Sequence, residues 1–164
     1  MKDKSPQGHY DKDIIPLLKK INSHKEYVTT SSCSGRIVVL NSQKKGNSKW
    51  LFKSHSKVRL NDIYNTLPED KDVWFMQEPL ILHIKCSSLE SASKLVNKLK
   101  ASGLKVTGIT SLKTNLVEVR GSKRIETILN KSLNNKEYLK LLIEKANEKL
   151  MQTKEEIKKL EQLF

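Results

Sequence analysis

An α+β fold is predicted by three properties of this 164-residue chain. Short apolar runs carry the two-residue period of strands, helical stripes follow them directly, and apolar residues spaced by three and four run through residues 136–164. The expected architecture is a single compact domain over residues 1–164, built from mixed or antiparallel sheets with packed helices and a long C-terminal helix. That length buries a core without disulfide or metal staples. The two cysteines, Cys33 and Cys86, form no Cys-x-x-Cys pair, and no signal-peptide pattern precedes them. No apolar run reaches the roughly 20 residues of a membrane span, so a cytoplasmic protein with no membrane partner is expected.

The elements follow in order. Asp11 or Asp13 caps a short helix carrying Ile14, Ile15, Leu17, Leu18 and Ile21, with Pro16 tolerated only in its first turn. Tyr27 to Ser32 and Arg36 to Leu40 read as two strands joined at a Ser-Cys-Ser-Gly corner, and a third strand lies around Trp50-Leu51-Phe52, making a meander. Val58 to Leu67 suits a short helix, and residues 68–72 have linker-like composition. Leu80 to Cys86 is a strand with Leu80, Leu82, Ile84 and Cys86 on one face and Ile81, His83 and Lys85 on the other. Ser87 and Glu90 have the spacing of a capping box before the stripe Leu89, Ala92, Leu95, Val96 and Leu99, and Gly103 stands where a left-handed C-terminal residue belongs. Val106 to Leu112 and Leu116 to Val119 flank Lys113-Thr114-Asn115 as a hairpin. The halves at about 9–67 and 78–135 thus have similar, β3α-like element content, without a repeat at residue level.

Residues 136–163 form the last helix, with a seam at Leu139, Ile143, Ala146, Leu150, Thr153, Ile157, Leu160 and Phe164. Such a seam serves a coiled-coil dimer or, given its Ala and Thr, a helix packed on a sheet of its own chain. A monomer and a homodimer are both compatible with it.

The net charge of +13 is unevenly distributed. Residues 19–59 hold ten Lys or Arg against Glu26 alone, residues 98–124 hold seven against Glu118, and the stretch 60–97 between them is net acidic. Two basic segments suggest a patch facing a polyanion, because neutralising phosphates releases counterions; a Lys-rich solubility surface is the plainer reading. RNA-binding candidates are Lys44, Lys45, Lys49, Lys53, Lys57 and Arg59 in the first segment and Arg120, Lys123 and Arg124 in the second. Trp74, beside a charged loop, is a candidate for stacking on an unstacked base, with core packing as its ordinary use.

Within the first segment lies Thr29-Thr30-Ser31-Ser32-Cys33-Ser34-Gly35-Arg36, five hydroxyls, one thiol and one guanidinium in eight residues. Hydroxyls bury poorly unless hydrogen-bonded, and small residues beside a Gly allow close approach, so the run reads as a binding loop or as a Ser/Thr turn. The two cysteines and four histidines show no metal-ligand spacing, and no metal is expected.

These motifs, taken in order, resemble the tRNA wybutosine-synthesizing protein 3 family. The resemblance rests on Ser5-Pro-Gln-Gly8 followed by Asp11, Ile21-Asn22, Tyr27, the Thr29 to Arg36 run, Trp50, Ser54-His55, Glu78-Pro79 with Ile81-Leu82-His83, Gly103 to Ile109, and Tyr138 with Ala146-Asn147. It departs from the family pattern at Gln7, where a Lys is usual, and at Thr107, where a Ser is usual. The resemblance implies an S-adenosylmethionine-dependent methyltransferase acting on the N4 nitrogen of the tricyclic base built from guanosine beside the anticodon of phenylalanine tRNA.

No Gly-x-Gly-x-x-Gly turn opens a helix here, so the cofactor needs another cradle. The hydroxyl run supplies one in Ser31, Ser32, Ser34, Gly35 and Arg36, and the Thr107-Gly108 pair joins them through the resemblance. Arg36 suits the cofactor carboxylate or an RNA phosphate equally. The nucleophilic N–H loses a proton as the methyl arrives, and a neutral His is the natural acceptor; His83, on the polar strand face, and His55, after Ser54, are the catalytic candidates. A non-catalytic RNA-binding module and a Cys- or His-dependent hydrolase are the competing functions.

Overall fold

The computed structural model describes residues 11–42 and 48–164. A 3-10 turn at Lys12–Ile14 leads into α1 (Ile15–Ser23), β1 (Tyr27–Leu40), β2 (Trp50–Ser54), α2 (Leu60–Tyr64), β3 (Val73–Cys86), α3 (Leu89–Ala101), β4 (Val106–Ser111), β5 (Leu116–Arg120), β6 (Ile125–Leu129) and α4 (Lys136–Leu163). This is the expected α+β class. The six strands belong to one sheet, ordered β2-β1-β3-β5-β4, with β6 also pairing β3. The chain divides into two compact units, each assembled from segments distant in sequence.

The first unit comprises residues 1–34, 79–122 and 153–164. Its core forms where Leu17, Leu18 and Ile21 of α1, Leu80, Leu82 and Ile84 of β3, Leu95 and Leu99 of α3, Val117 and Val119 of β5, and Ile157 and Leu160 of α4 leave water together. Each such side chain contributes roughly 1.5–3 kcal/mol on burial. The second unit comprises residues 35–78 and 123–152. It buries Ile37 and Val39 of β1, Ile63 of α2, Val73 and Phe75 of β3, Leu129 of β6, and Leu139, Ile143, Ala146 and Leu150 of α4.

The seam of α4 is therefore spent inside its own chain: Thr153 and every apolar seam position from Leu139 to Leu160 are buried. The predicted bounds of this helix hold, because 3.6-residue periodicity over seven turns has few competing solutions. Cys86 is buried in the first unit, where desolvation pushes its thiol up to about 11, so it serves as an apolar core residue.

Four expectations change. The meander does not form: Tyr27 to Leu40 is one continuous 14-residue strand, not two strands meeting at a corner. Gly35 takes φ +86° inside it, a conformation that costs glycine little. The strand expected at Leu80 begins seven residues earlier, at Val73, and runs through Pro79. The helix between Val58 and Leu67 is confined to Leu60–Tyr64. The N-cap of α3 is Ser88, whose hydroxyl accepts from the Ser91 N–H at 3.1 Å while Ser91 returns the bond to Ser88, so the capping box is Ser88/Ser91 and not Ser87/Glu90. Glu90 instead pairs with Lys94 one turn on. Strand β6 has no counterpart among the expected elements.

Candidate active site

Strand alternation and register bring polar side chains into one row in the first unit. On β3, Leu80, Leu82, Ile84 and Cys86 are buried while Ile81, His83 and Lys85 face outward, as the period predicts. β3 pairs β5 so that His83 stands opposite Glu118, and β5 pairs β4 so that Glu118 stands opposite Gly108. Cross-strand partners point to the same face. Ser31 of β1 completes the row from the other side.

The row is hydrogen-bonded from Ser31 to Glu118. Ser31 Oγ lies 2.9 Å from His83 Nδ1, and His83 Nε2 lies 3.0 Å from Glu118 Oε2. A carboxylate only accepts, so Nε2 carries the proton; in the neutral ring Nδ1 is then the acceptor, and the Ser31 hydroxyl donates to it. The other Glu118 oxygen, Oε1, is 3.4 Å from Arg120 Nε. Ser31, His83, Glu118 and Arg120 form a hydroxyl–imidazole–carboxylate–guanidinium chain in which the side chains of His83 and Glu118 are about a quarter exposed. At the end of the row, a Cβ added to Gly108 would meet nothing within 4 Å, so space stands open above the β4 backbone beside Glu118.

The remaining hydroxyls of the run divide by role. Ser34 is fully buried, its N–H donates to Asp11 Oδ2 at 2.8 Å, and its hydroxyl accepts from Lys154 Nζ at 2.8 Å; Lys154 also pairs with Asp13 at 2.9 Å. Thr29 is held by Asn22, which accepts from its N–H at 3.0 Å and donates to its hydroxyl at 2.6 Å. The Ser32 Oγ is buried and has no hydrogen-bond partner among the described residues. Thr107 donates its hydroxyl to the Leu104 carbonyl at 2.8 Å and is buried, which gives it a structural use at the start of β4. Asp11 and Asp13 thus serve the hydroxyl run and Lys154; no side-chain cap bond forms at the first helix.

The second unit holds the rest of the candidates. Arg36 donates through Nε to Glu78 in a short ion pair, and its guanidinium carbon lies 4.5 Å from the centroid of the Trp50 ring. Lys53 Nζ lies 5.4 Å from the same centroid. His55 Nδ1 donates to the Gly35 carbonyl at 3.0 Å, which fixes its tautomer with the proton on Nδ1 in the neutral ring. Trp74 is half-buried opposite Ile128, Arg124 pairs with Glu126, and Lys49, Lys57 and Arg59 are exposed. Lys123 is half-buried at the start of this unit's second segment. Lys44 and Lys45 lie outside the described residues, as do the Ser5 to Gly8 motif and Gln7.

Three partners carry no role in the sequence pattern: Glu118, Glu78, which belongs to it only as a resemblance residue, and Lys154. Glu118 had one signal, an outward position in the alternating Leu-Val-Glu-Val-Arg run. Its pairing with His83 depends on β3–β5 register, which no local pattern encodes. Asn147, one of the resemblance residues, proves to be a clasp: its amide accepts from the Val58 N–H and donates to the Val58 carbonyl, each at 2.9 Å.

Comparison with known proteins agrees with this architecture. The chain matches the family described as Methyltransferase TYW3 over residues 1–164. It is 40% identical over 165 aligned residues to the tRNA(Phe) 7-((3-amino-3-carboxypropyl)-4-demethylwyosine(37)-N(4))-methyltransferase 1 of Pyrococcus horikoshii, covering 94% of this chain and 84% of that one. The corresponding methyltransferase of Methanocaldococcus jannaschii is 35% identical, with 91% and 83% covered. Among solved structures, the PH1069 protein of Pyrococcus horikoshii OT3 superposes with a TM-score of 0.85 at 40% identity, covering 95% of this chain and 83% of that one. A hypothetical protein from Aeropyrum pernix shares the fold, with a TM-score of 0.80 at 23% identity over 93% of this chain and 98% of that one. Matched along its whole length and similar to methyltransferases over more than nine-tenths of it, the chain belongs to the Methyltransferase TYW3 family.

Proposed function

We propose that this protein methylates the N4 nitrogen of the wybutosine-precursor base beside the anticodon of phenylalanine tRNA, using S-adenosylmethionine, and that the Ser31–His83–Glu118 chain removes the departing proton. Family membership and the names of the relatives support the reaction class. The observation that carries the site is the 2.9 Å and 3.0 Å pair of hydrogen bonds through His83.

The residues of the first unit fit a small polar cofactor on two counts. Ser32 keeps a buried hydroxyl without a partner among the described residues, and Gly108 leaves open space beside a carboxylate and a guanidinium. Ser31, Ser32, Gly108 and Arg120 are the residues we assign to holding it; Ser34 and Thr107 are committed to internal bonds. When bound, S-adenosylmethionine supplies an activated methyl on a sulfonium sulfur.

The protein must align the acceptor nitrogen and take its proton. With Nδ1 of neutral His83 occupied by the Ser31 hydroxyl, the direct acceptor is Ser31 Oγ, which passes its own proton to Nδ1 as it receives one. Glu118 faces the imidazolium so formed and holds the ring in the tautomer with its lone pair on Nδ1. This refines the role of His83 from direct base to second member of a relay. His55 has the opposite tautomer, fixed by the Gly35 carbonyl.

His83→Ala and Ser31→Ala are expected to lower methyl transfer to precursor-containing tRNA by about 10²–10³-fold, the usual worth of a general base. Single-turnover rates at saturating cofactor check this, and a wild-type rate in His83→Ala overturns the relay. Calorimetry with S-adenosylmethionine on the unmodified chain separates a methyltransferase, which binds it, from an RNA-binding module, which does not.

A further inference from the structure

The outer face of the β1–β2 pair in the second unit carries a site distinct from the relay. In the β1–β2 register Val38 stands opposite Lys53 and Leu40 opposite Trp50, so Lys53 and Trp50 share a face with Arg36, while Ile37, Val39 and Phe52 face the core. Trp50 is 43% exposed and Lys53 is exposed, although a large aromatic is normally mostly covered.

Arg36 is pre-organised there. Glu78 holds Nε, the indole of Trp50 supports the guanidinium plane at 4.5 Å, and the two terminal nitrogens of Arg36 have no partner among the described residues. The result is a planar fork of four N–H donors held at the surface, with the ammonium of Lys53 over the same indole. A fork of this kind suits an oxyanion that accepts two parallel hydrogen bonds. Two sources of such an oxyanion exist in the proposed reaction: a phosphodiester of the tRNA and the carboxylate of S-adenosylmethionine.

We infer that Arg36, Trp50 and Lys53 form a phosphodiester-binding site for the tRNA backbone, and that Arg36 does not bind the cofactor. This rests on the proposed tRNA substrate. Two features choose the phosphodiester. The indole and the lysine beside the fork are both exposed, whereas small cofactors are held in concave sites that cover most of their surface. Its second cation also matches a polymer carrying successive charges, while one carboxylate is satisfied by the fork alone. In this arrangement Trp50 is a positioning residue, acting through the guanidinium it supports.

The test measures two affinities for each variant of the full chain: for unmodified phenylalanine tRNA transcript across a salt series, and for S-adenosylmethionine by calorimetry. Arg36→Ala is expected to weaken tRNA binding about tenfold and to reduce the magnitude of the log-affinity against log-salt slope by about one, with cofactor affinity within about twofold of the parent. Arg36→Lys keeps the charge and hence the slope but loses the fork, so affinity falls about threefold. Trp50→Ala weakens tRNA binding less than Arg36→Ala with the slope retained. Loss of cofactor affinity in Arg36→Ala assigns the fork to the carboxylate and overturns the inference, as does an unchanged tRNA affinity. Melting curves of Arg36→Ala show whether it folds, and Arg36→Lys carries the test if it does not. A failed methylation reading would show as an inert parent enzyme, independently of these tRNA affinities.

Discussion

At the scale of single residues, Glu118 links two side chains that no local sequence pattern joins. Glu118 uses one oxygen for His83 and the other for Arg120, so it orients the imidazole and is itself oriented. Glu118→Gln keeps the size and one acceptor but removes the negative charge opposite the imidazolium. We expect kcat to fall about 10–100-fold, with KM for tRNA changed less than about threefold, because orienting partners act on the reaction and not on substrate docking. Steady-state kinetics with the precursor tRNA measures both, and a rise in KM at constant kcat would place Glu118 in substrate binding instead. The hydroxyl run illustrates the same division of labour: Ser31 stands in the proposed relay, Ser34 is locked between Asp11 and Lys154, and Ser32 keeps a buried oxygen without a partner among the described residues.

Among the elements, the tightest constraint is the entry of β3 into the first unit. A Cβ added at Gly121 would lie 2.9 Å from Pro79 Cβ and 3.0 Å from Glu156 Oε2, and the Gly121 N–H donates to the Leu80 carbonyl at 2.9 Å. Gly121→Ala therefore overpacks a point where backbone approaches backbone, and a cost of about 1–3 kcal/mol follows, seen as a melting temperature lower by roughly 3–10 °C. A melting temperature equal to that of the parent would show that Pro79 and Glu156 yield freely. The same strand explains what was legible in the sequence. The helix α4 and the outward face of Leu80 to Cys86 could be read because their periods repeat locally. Strand β1 could not, since Thr29 to Arg36 has the composition of a turn and becomes a strand only because Asp11, Asn22 and His83 supply its partners. Residues 73–79 were missed because Pro79 argues against a strand interior, and β6 because five residues give too little alternation to stand out. The proposed relay shares this fate: His83 is identifiable by residue type, whereas Ser31 and Glu118 join it through tertiary register alone.

For the whole molecule, the decisive property is where the +13 charge falls once the chain is folded. The first unit has 16 basic and 9 acidic side chains, a net +7, and the second has 15 and 9, a net +6. The two basic segments of the sequence are thus not the property of one unit, and neither unit is a neutral scaffold for the other. Several cations are internally neutralised, as in Arg124–Glu126, Lys131–Glu69 and Lys154–Asp13, which removes them from the count available to counterion release. Exposed Lys49, Lys53, Lys57 and Arg59 remain on the second unit, and Lys85, Lys100, Lys105 and Lys113 on the first. If tRNA engages both sets, six to ten phosphates are neutralised, and affinity falls by about 10³–10⁵ between 50 and 200 mM salt. If it engages one set, about four are neutralised and the log–log slope is roughly halved. We expect the steeper dependence. Reversing charge at Lys100, Lys105 and Lys113 together, away from the relay and from Arg36, should then flatten the slope by two to three; an unchanged slope would confine the tRNA to the second unit.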